Sequence, residues 1–262
     1  EIQYKIATYG TGGVSIHIGP WAGGKSGVGR IAAGTYSELI TATVSGLLSF
    51  TRRFSDFTGS IDDVSVRELP GNHASQGTAT SRPTLQVDAG SRYLQFDGVD
   101  DWLQTASIDF TGTDKVTLWA AIRKLSDASI GTVAELSAEK NANSGVFALF
   151  APVSMNGPNV AWFSKGTVEA QALKGGEPAP QTKVLVGLGD ISARVSKLRG
   201  NGMDMVANVG SQGVGDYGNY PLYLGRRAGT SLPFNGRIYG LIIRGAATPD
   251  PTISRVERYL NA

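Results

Sequence analysis

The sequence predicts an all-β protein closed by one short helix, and three observations carry that prediction. Glycine is frequent, 35 of 262 residues, while only 18% of residues are charged, a balance that suits short strands and tight turns better than helix bundles. Apolar and polar residues alternate with the period of a half-buried strand, as in Val14-Ser15-Ile16-His17-Ile18 and Val64-Ser65-Val66-Arg67. Short β-branched and aromatic runs then recur between turn residues as far as Arg244.

In chain order, strands are expected at 14–18, 35–44, 47–51 and 60–69, with a glycine-rich turn over 19–29. Pro70-Gly71-Asn72 breaks the pattern and the chain stays polar to Pro83, so 70–84 is expected to be a linker between a first region, 1–69, and a second, 85–262. Within the second region, Tyr93–Phe96 and Trp102–Thr105 flank Asp97-Gly98, the composition of a β-hairpin turn. A series of short strands follows, from 115–125 to 236–244, the spacing of a sandwich or jelly roll. Trp102 and Trp162 fall in strands and are expected in the core. A helix is expected over 250–261: Asp250 can cap it, Pro251 suits its first position, and Ile253, Val256 and Leu260 share one face. It is expected to cover a sheet edge or end.

Composition narrows the function. A net charge of +2 makes no electrostatic case for nucleic acid, and the absence of cysteine excludes disulfides and thiolate metal sites. No apolar run reaches the length that spans a bilayer, so no membrane insertion is expected. Gly19-Pro20-Trp21-Ala22-Gly23-Gly24-Lys25-Ser26 fits the phosphate-loop pattern letter for letter. That loop needs a helix N-terminus aimed at the phosphates, and Gly27-Val28-Gly29 is poor helix material, so a turn between strands is expected. His17 and His73 lie apart and no Gly-x-Ser-x-Gly elbow is present. A retaining glycosidase needs two carboxylates about 5–5.5 Å apart, and no strand offers acids at alternate positions; Glu135 and Glu139 are four apart.

The run Leu94-Gln95-Phe96-Asp97-Gly98-Val99-Asp100-Asp101-Trp102-Leu103 resembles the opening of the laminin-G-like, concanavalin A-like sandwiches of bacteriophage virion proteins. Leu222–Arg226, Phe234–Ala246 and the terminal Val256–Asn261 resemble their closing strands and helix. Gly34-Thr35-Tyr36 and Phe57–Leu69 resemble the C-terminal half of a carbohydrate-binding-module-like sandwich. The resemblance implies a jelly-roll sandwich over 85–262 preceded by a partial sandwich over 1–69. It implies a non-catalytic virion appendage, such as a tail fibre, made in the bacterial cytoplasm and adhesive toward a cell-surface glycan. The alternatives are a capsid or tail decoration protein and a glycoside hydrolase. A homo-oligomer, a trimer by analogy, and other virion proteins are the expected partners, with no cofactor except calcium. The missing half of the first sandwich points to a trimmed chain or to completion by a partner.

Two sets of residues are candidates for binding. Sugars stack on exposed aromatic faces flanked by polar groups, which singles out the loop residues Asp216, Tyr217, Asn219 and Tyr220, and Trp119 on a strand. Asp97, Asp100 and Asp101 are candidate calcium ligands, since calcium takes carboxylate oxygens; the alternative is that they cap the turn.

Overall fold

A computed structural model describes residues 1–42, 44–67, 71–88 and 90–261. The chain divides into two compact units, Glu1–Gly71 and Asn72–Ala262.

The first unit is one antiparallel sheet of β1 (Ile2–Ile18), β2 (Lys25–Ser26), β3 (Gly34–Glu38) and β4 (Leu48–Val66). β1 pairs with β4 along its length and with β3 and β2 in turn on its other edge. Ile2, Tyr4, Ile6, Val14 and Ile16 are its buried core. Two separate expected strands, 47–51 and 60–69, are one long strand: Thr58 pairs with Thr11 and Arg53 with Gly13, and the irregularity between them absorbs residues 54–57. Where a strand was expected over 35–44, the described residues form only β3, Gly34–Glu38; Thr43, Glu68, Leu69 and Pro70 lie outside the described residues. The phosphate-loop look-alike is a hairpin turn: Ile18 pairs with Lys25 and His17 with Ser26, and the Gly24 N–H donates to the Pro20 carbonyl at 2.9 Å. His17 is buried rather than solvent-facing, held by Ser26 Oγ at 3.0 Å.

The second unit opens with β5 (Ala74–Ser75), β6 (Thr84–Asp88), β7 (Ser91–Asp97), β8 (Leu103–Asp109), β9 (Lys115–Lys124), β10 (Thr132–Leu136) and β11 (Val146–Phe150). It continues with β12 (Asn159–Lys165), β13 (Glu169–Gly175), β14 (Gln181–Asp190), β15 (Val195–Gly200), β16 (Met203–Asn208), β17 (Asn219–Leu224) and β18 (Asn235–Arg244). These build two seven-stranded antiparallel sheets, β13-β12-β11-β10-β17-β8-β5 and β16-β15-β14-β9-β18-β7-β6. The inward residues of both, among them Phe96, Leu118, Phe147, Trp162, Leu185 and Phe234, form one core between them, the sandwich arrangement expected.

The Asp97-Gly98 turn does not close a hairpin. β7 pairs with β18 and β6 in one sheet, and β8 pairs with β17 and β5 in the other. Residues 98–102 carry the chain across the sandwich, so the turn is a crossover between sheets. The stretch expected as linker also belongs to the second unit from Asn72 onward, because Ala74 and Ser75 pair with Thr105 and Gln104 of β8. This fixes where the sandwich can be cut. A fragment 72–262 is expected to melt cooperatively, whereas 85–262, which strips β5 from the edge of β8, melts at a lower temperature; equal melting of the two in a thermal scan contradicts the assignment.

The helix α1 (Asp250–Asn261) forms over the expected residues. It lies on a sheet face rather than at an edge. β9 and β14 are apolar on both sides, and Trp119, Ala121, Val184 and Val186 of the outward face are covered by Ile253, with Val256 and Leu260 packed alongside. The helix also carries a buried charge, Glu257, which meets Arg199 of β15 at 3.5 Å and accepts the Gly202 N–H at 3.2 Å.

Candidate functional site

The loop expected to present two aromatics does not do so. Tyr217 is 1% exposed and belongs to the main core, its ring 5.7 Å from that of Phe147. Its hydroxyl meets Ser164 Oγ at 2.6 Å, and burial pushes its pKa up, so it stays protonated. Tyr220 packs against the same core, while Asp216 and Asn219 are exposed. The loop is drawn inward by its backbone: Tyr217 N–H donates to the Thr113 carbonyl and Gly218 N–H to that of Gly145. Trp119 is also withdrawn from solvent, 1% exposed beneath α1. Tyr217 and Trp119, chosen from sequence as binding aromatics, are therefore structural, while Tyr220 is half-buried.

Trp102, expected in the core, is instead half-buried, unlike Trp162, which is fully buried. It shares strand parity with Gln104. Gln104 lies opposite Tyr223 of β17, Tyr223 opposite Glu135 of β10, and Glu135 opposite Ala148 of β11. Ala148 packs with Phe150, Ala161 and Phe163 in a cluster separate from the main core, so this row runs across the outward face of the sheet. Trp102 and Tyr223 form a pair there, ring centroids 6.1 Å apart and planes tilted by 30°. The loop after β17 reaches the same place. Gly229, at φ +68°, presses its backbone against the indole, where a Cβ would fall 2.6 Å from the ring.

Arg227 of that loop organises the charges beside the pair. Its Nε donates to Glu135 at 2.9 Å and its Nη1 to Glu139 at 3.1 Å, and its guanidinium lies 5.4 Å from the Phe150 ring centre. Glu135 is 0% exposed and also accepts the Lys140 N–H at 2.8 Å. Burial raises its pKa, against the opposing pull of Arg227. Glu139 lies beyond the end of β10, and Arg227 brings the two carboxylates together. They are not free to flank a scissile bond, because the buried one faces only its protein partners. Asp204 and Asn208, also four apart in sequence, are held by Lys197 and Arg199 and by the Gln171 carbonyl respectively.

Asp97, Asp100 and Asp101 lie immediately before Trp102, with one oxygen of each within 4.8 Å of the others. Each caps the crossover. Asp97 Oδ1 accepts the Val99 and Asp100 N–H groups, Asp101 Oδ2 accepts the Asp97 N–H, and Asp100 Oδ2 accepts from Ser81 Oγ. The remaining oxygens make an all-oxygen set of the kind calcium takes. Burial first, then the neighbouring Asp97 and Asp100 charges, raises the pKa of Asp101.

Sequence reasoning missed Glu135, Arg227 and Tyr223 as a group. Trp102 and Gln104 carried a usable signal, since residues two apart share a face of a strand; the Arg227 pairing carried none, its partners being 92 and 88 residues away. Among the described residues no helix is long and apolar enough to cross a membrane.

No family model and no curated protein matches the chain. Solved structures do resemble it. The Ruminococcus gnavus IT-sialidase CBM40 bound to alpha2,3 sialyllactose is 16% identical with a TM-score of 0.45, covering 59% of this chain and 98% of that one. The native heptameric SAP-like pentraxin from Limulus polyphemus is 11% identical with a TM-score of 0.49, over 66% and 84% of the two chains. The botulinum neurotoxin serotype G binding domain is 9% identical with a TM-score of 0.55, over 72% of this chain and 46% of that one. At such identities the likeness is one of fold, and the neurotoxin domain places the chain among the β-sandwiches.

Proposed function

We propose that the second unit is a non-catalytic carbohydrate-binding module that holds a sugar ring against Trp102 and Tyr223. The observation that carries this reading is the aromatic pair itself, half-buried and turned outward on a sheet face. Such rings offer flat apolar surface to the C–H face of a pyranose; Gln104 in the same row, and Glu139 and the Arg227 guanidinium beside it, are placed to meet hydroxyls. The fold alone would not decide the matter, since this architecture serves many functions. On a glycan array, Trp102→Ala and Tyr223→Ala are each expected to lower binding at least tenfold; unchanged binding by both variants sinks the reading.

The resemblance to virion modules extends the proposal to an adhesive appendage, in which several copies of a weak site add avidity. Immunogold labelling of intact phage particles tests that extension, and absence of label from every particle type contradicts it.

A further inference from the structure

The charges around Trp102 and Tyr223 are arranged against an acidic ligand. Five carboxylates border the pair: Asp97, Asp100 and Asp101 in the turn before Trp102, and Glu135 and Glu139 beside Tyr223. Three guanidinium groups stand near, two fewer than the carboxylates; of these, among the described residues only Arg227 is ion-paired, while Arg226 and Arg82 bond neutral carbonyls and Arg226 Nε has no partner. Arg227 is shared between Glu135 and Glu139. Arg226 donates to the Thr230 carbonyl at 3.0 Å. Arg82, in the segment whose Gln76 reaches the Trp102 carbonyl, donates to the carbonyls of Gln76 and Gly77.

From this we infer that the site selects glycans without an acidic group and rejects their sialylated or sulfated counterparts. The inference rests on the binding site proposed above and names its ligand class. A carboxylate or sulfate placed over the indole would meet the field of the aspartates, and its natural partner, Arg227, is already neutralised by two glutamates. An uncharged pyranose keeps the stacking and suffers no repulsion. Selectivity here comes from a built-in penalty on the wrong ligand as much as from contacts with the right one.

The test is an array of neutral oligosaccharides, each printed beside its sialylated and sulfated counterpart, probed with the full chain in chelator so that the aspartates act without metal. Neutral members are expected to bind at least tenfold more tightly than their acidic counterparts. Salt should leave neutral binding level and improve acidic binding, because it screens a repulsion. Glu139→Gln, at a partly exposed side chain, releases Arg227 Nη1 and should shift the preference toward the acidic members several-fold. Acidic members that bind more tightly, with affinity falling as salt rises, overturn the inference while leaving a Trp102-dependent sugar site standing. No binding to any member overturns both.

Discussion

Tyr217→Ala is expected to destabilise the second unit by roughly 3–5 kcal/mol, the range for emptying a large buried aromatic site. The ring is wedged edge-on against Phe147, which itself stacks on Trp162 at 5.6 Å. Its loss opens the centre of the sandwich. The hydroxyl belongs to a buried polar chain through Ser164 and Gln212, with Gln212 Nε2 donating to the Asp190 carbonyl at 2.9 Å. Tyr217→Phe keeps the volume and removes one hydrogen bond, so it should cost only about 0.5–1.5 kcal/mol. Denaturant unfolding of the two variants checks this ordering; an alanine variant as stable as the wild type would mean that the loop is free of the core.

Arg227→Ala is expected to cost roughly 3–5 kcal/mol near neutral pH, because it strands a buried carboxylate. Glu135 then has only the Lys140 N–H to offset its burial. The effect depends on pH with a definite sign. Burial already holds the folded-state pKa of Glu135 above its usual value, so the native state keeps the proton more tightly than the unfolded chain does. Stability from this group is greatest at acid pH and falls as pH rises through the raised pKa. Removing Arg227 raises that pKa further, so the variant's deficit should shrink markedly by about pH 4, where the carboxyl is neutral. Glu135→Gln should abolish this pH dependence, and the double variant should recover part of the neutral-pH loss. A deficit that is the same at both pH values contradicts the account and points to lost packing on Phe150 alone.

Much of the architecture was legible because local and global signals agree. The α1 boundaries follow from Asp250, Pro251 and the Ile253–Val256–Leu260 stripe, and period-two alternation marks most strands. What failed were decisions that depend on partners distant in sequence. Asp97-Gly98 has the composition of a hairpin turn, yet the pairings of β7 with β18 and β8 with β17 pull its two sides into different sheets. Glycines around Tyr217 suggested an exposed loop, whereas backbone bonds to Thr113 and Gly145 turn it inward. Val116–Ile122 is apolar at almost every position, which signals burial on both faces, and that burial is what covers Trp119. Placing Trp102 in the core overlooked its shared parity with Gln104. The Arg227 clamp on Glu135 and Glu139 joins segments that no local pattern connects.

Chemical-shift mapping of the second unit during titration with an array-selected oligosaccharide tests the central claim most directly. Saturable shifts are expected at the Trp102 indole N–H and along Gln104, Tyr223 and Arg227, with the opposite sheet unmoved. Shifts confined to that other sheet, in the groove of about 770 Å³ beside α1 lined by Tyr239, Gly240 and Tyr259, would contradict it and move the sugar site to the face the helix covers.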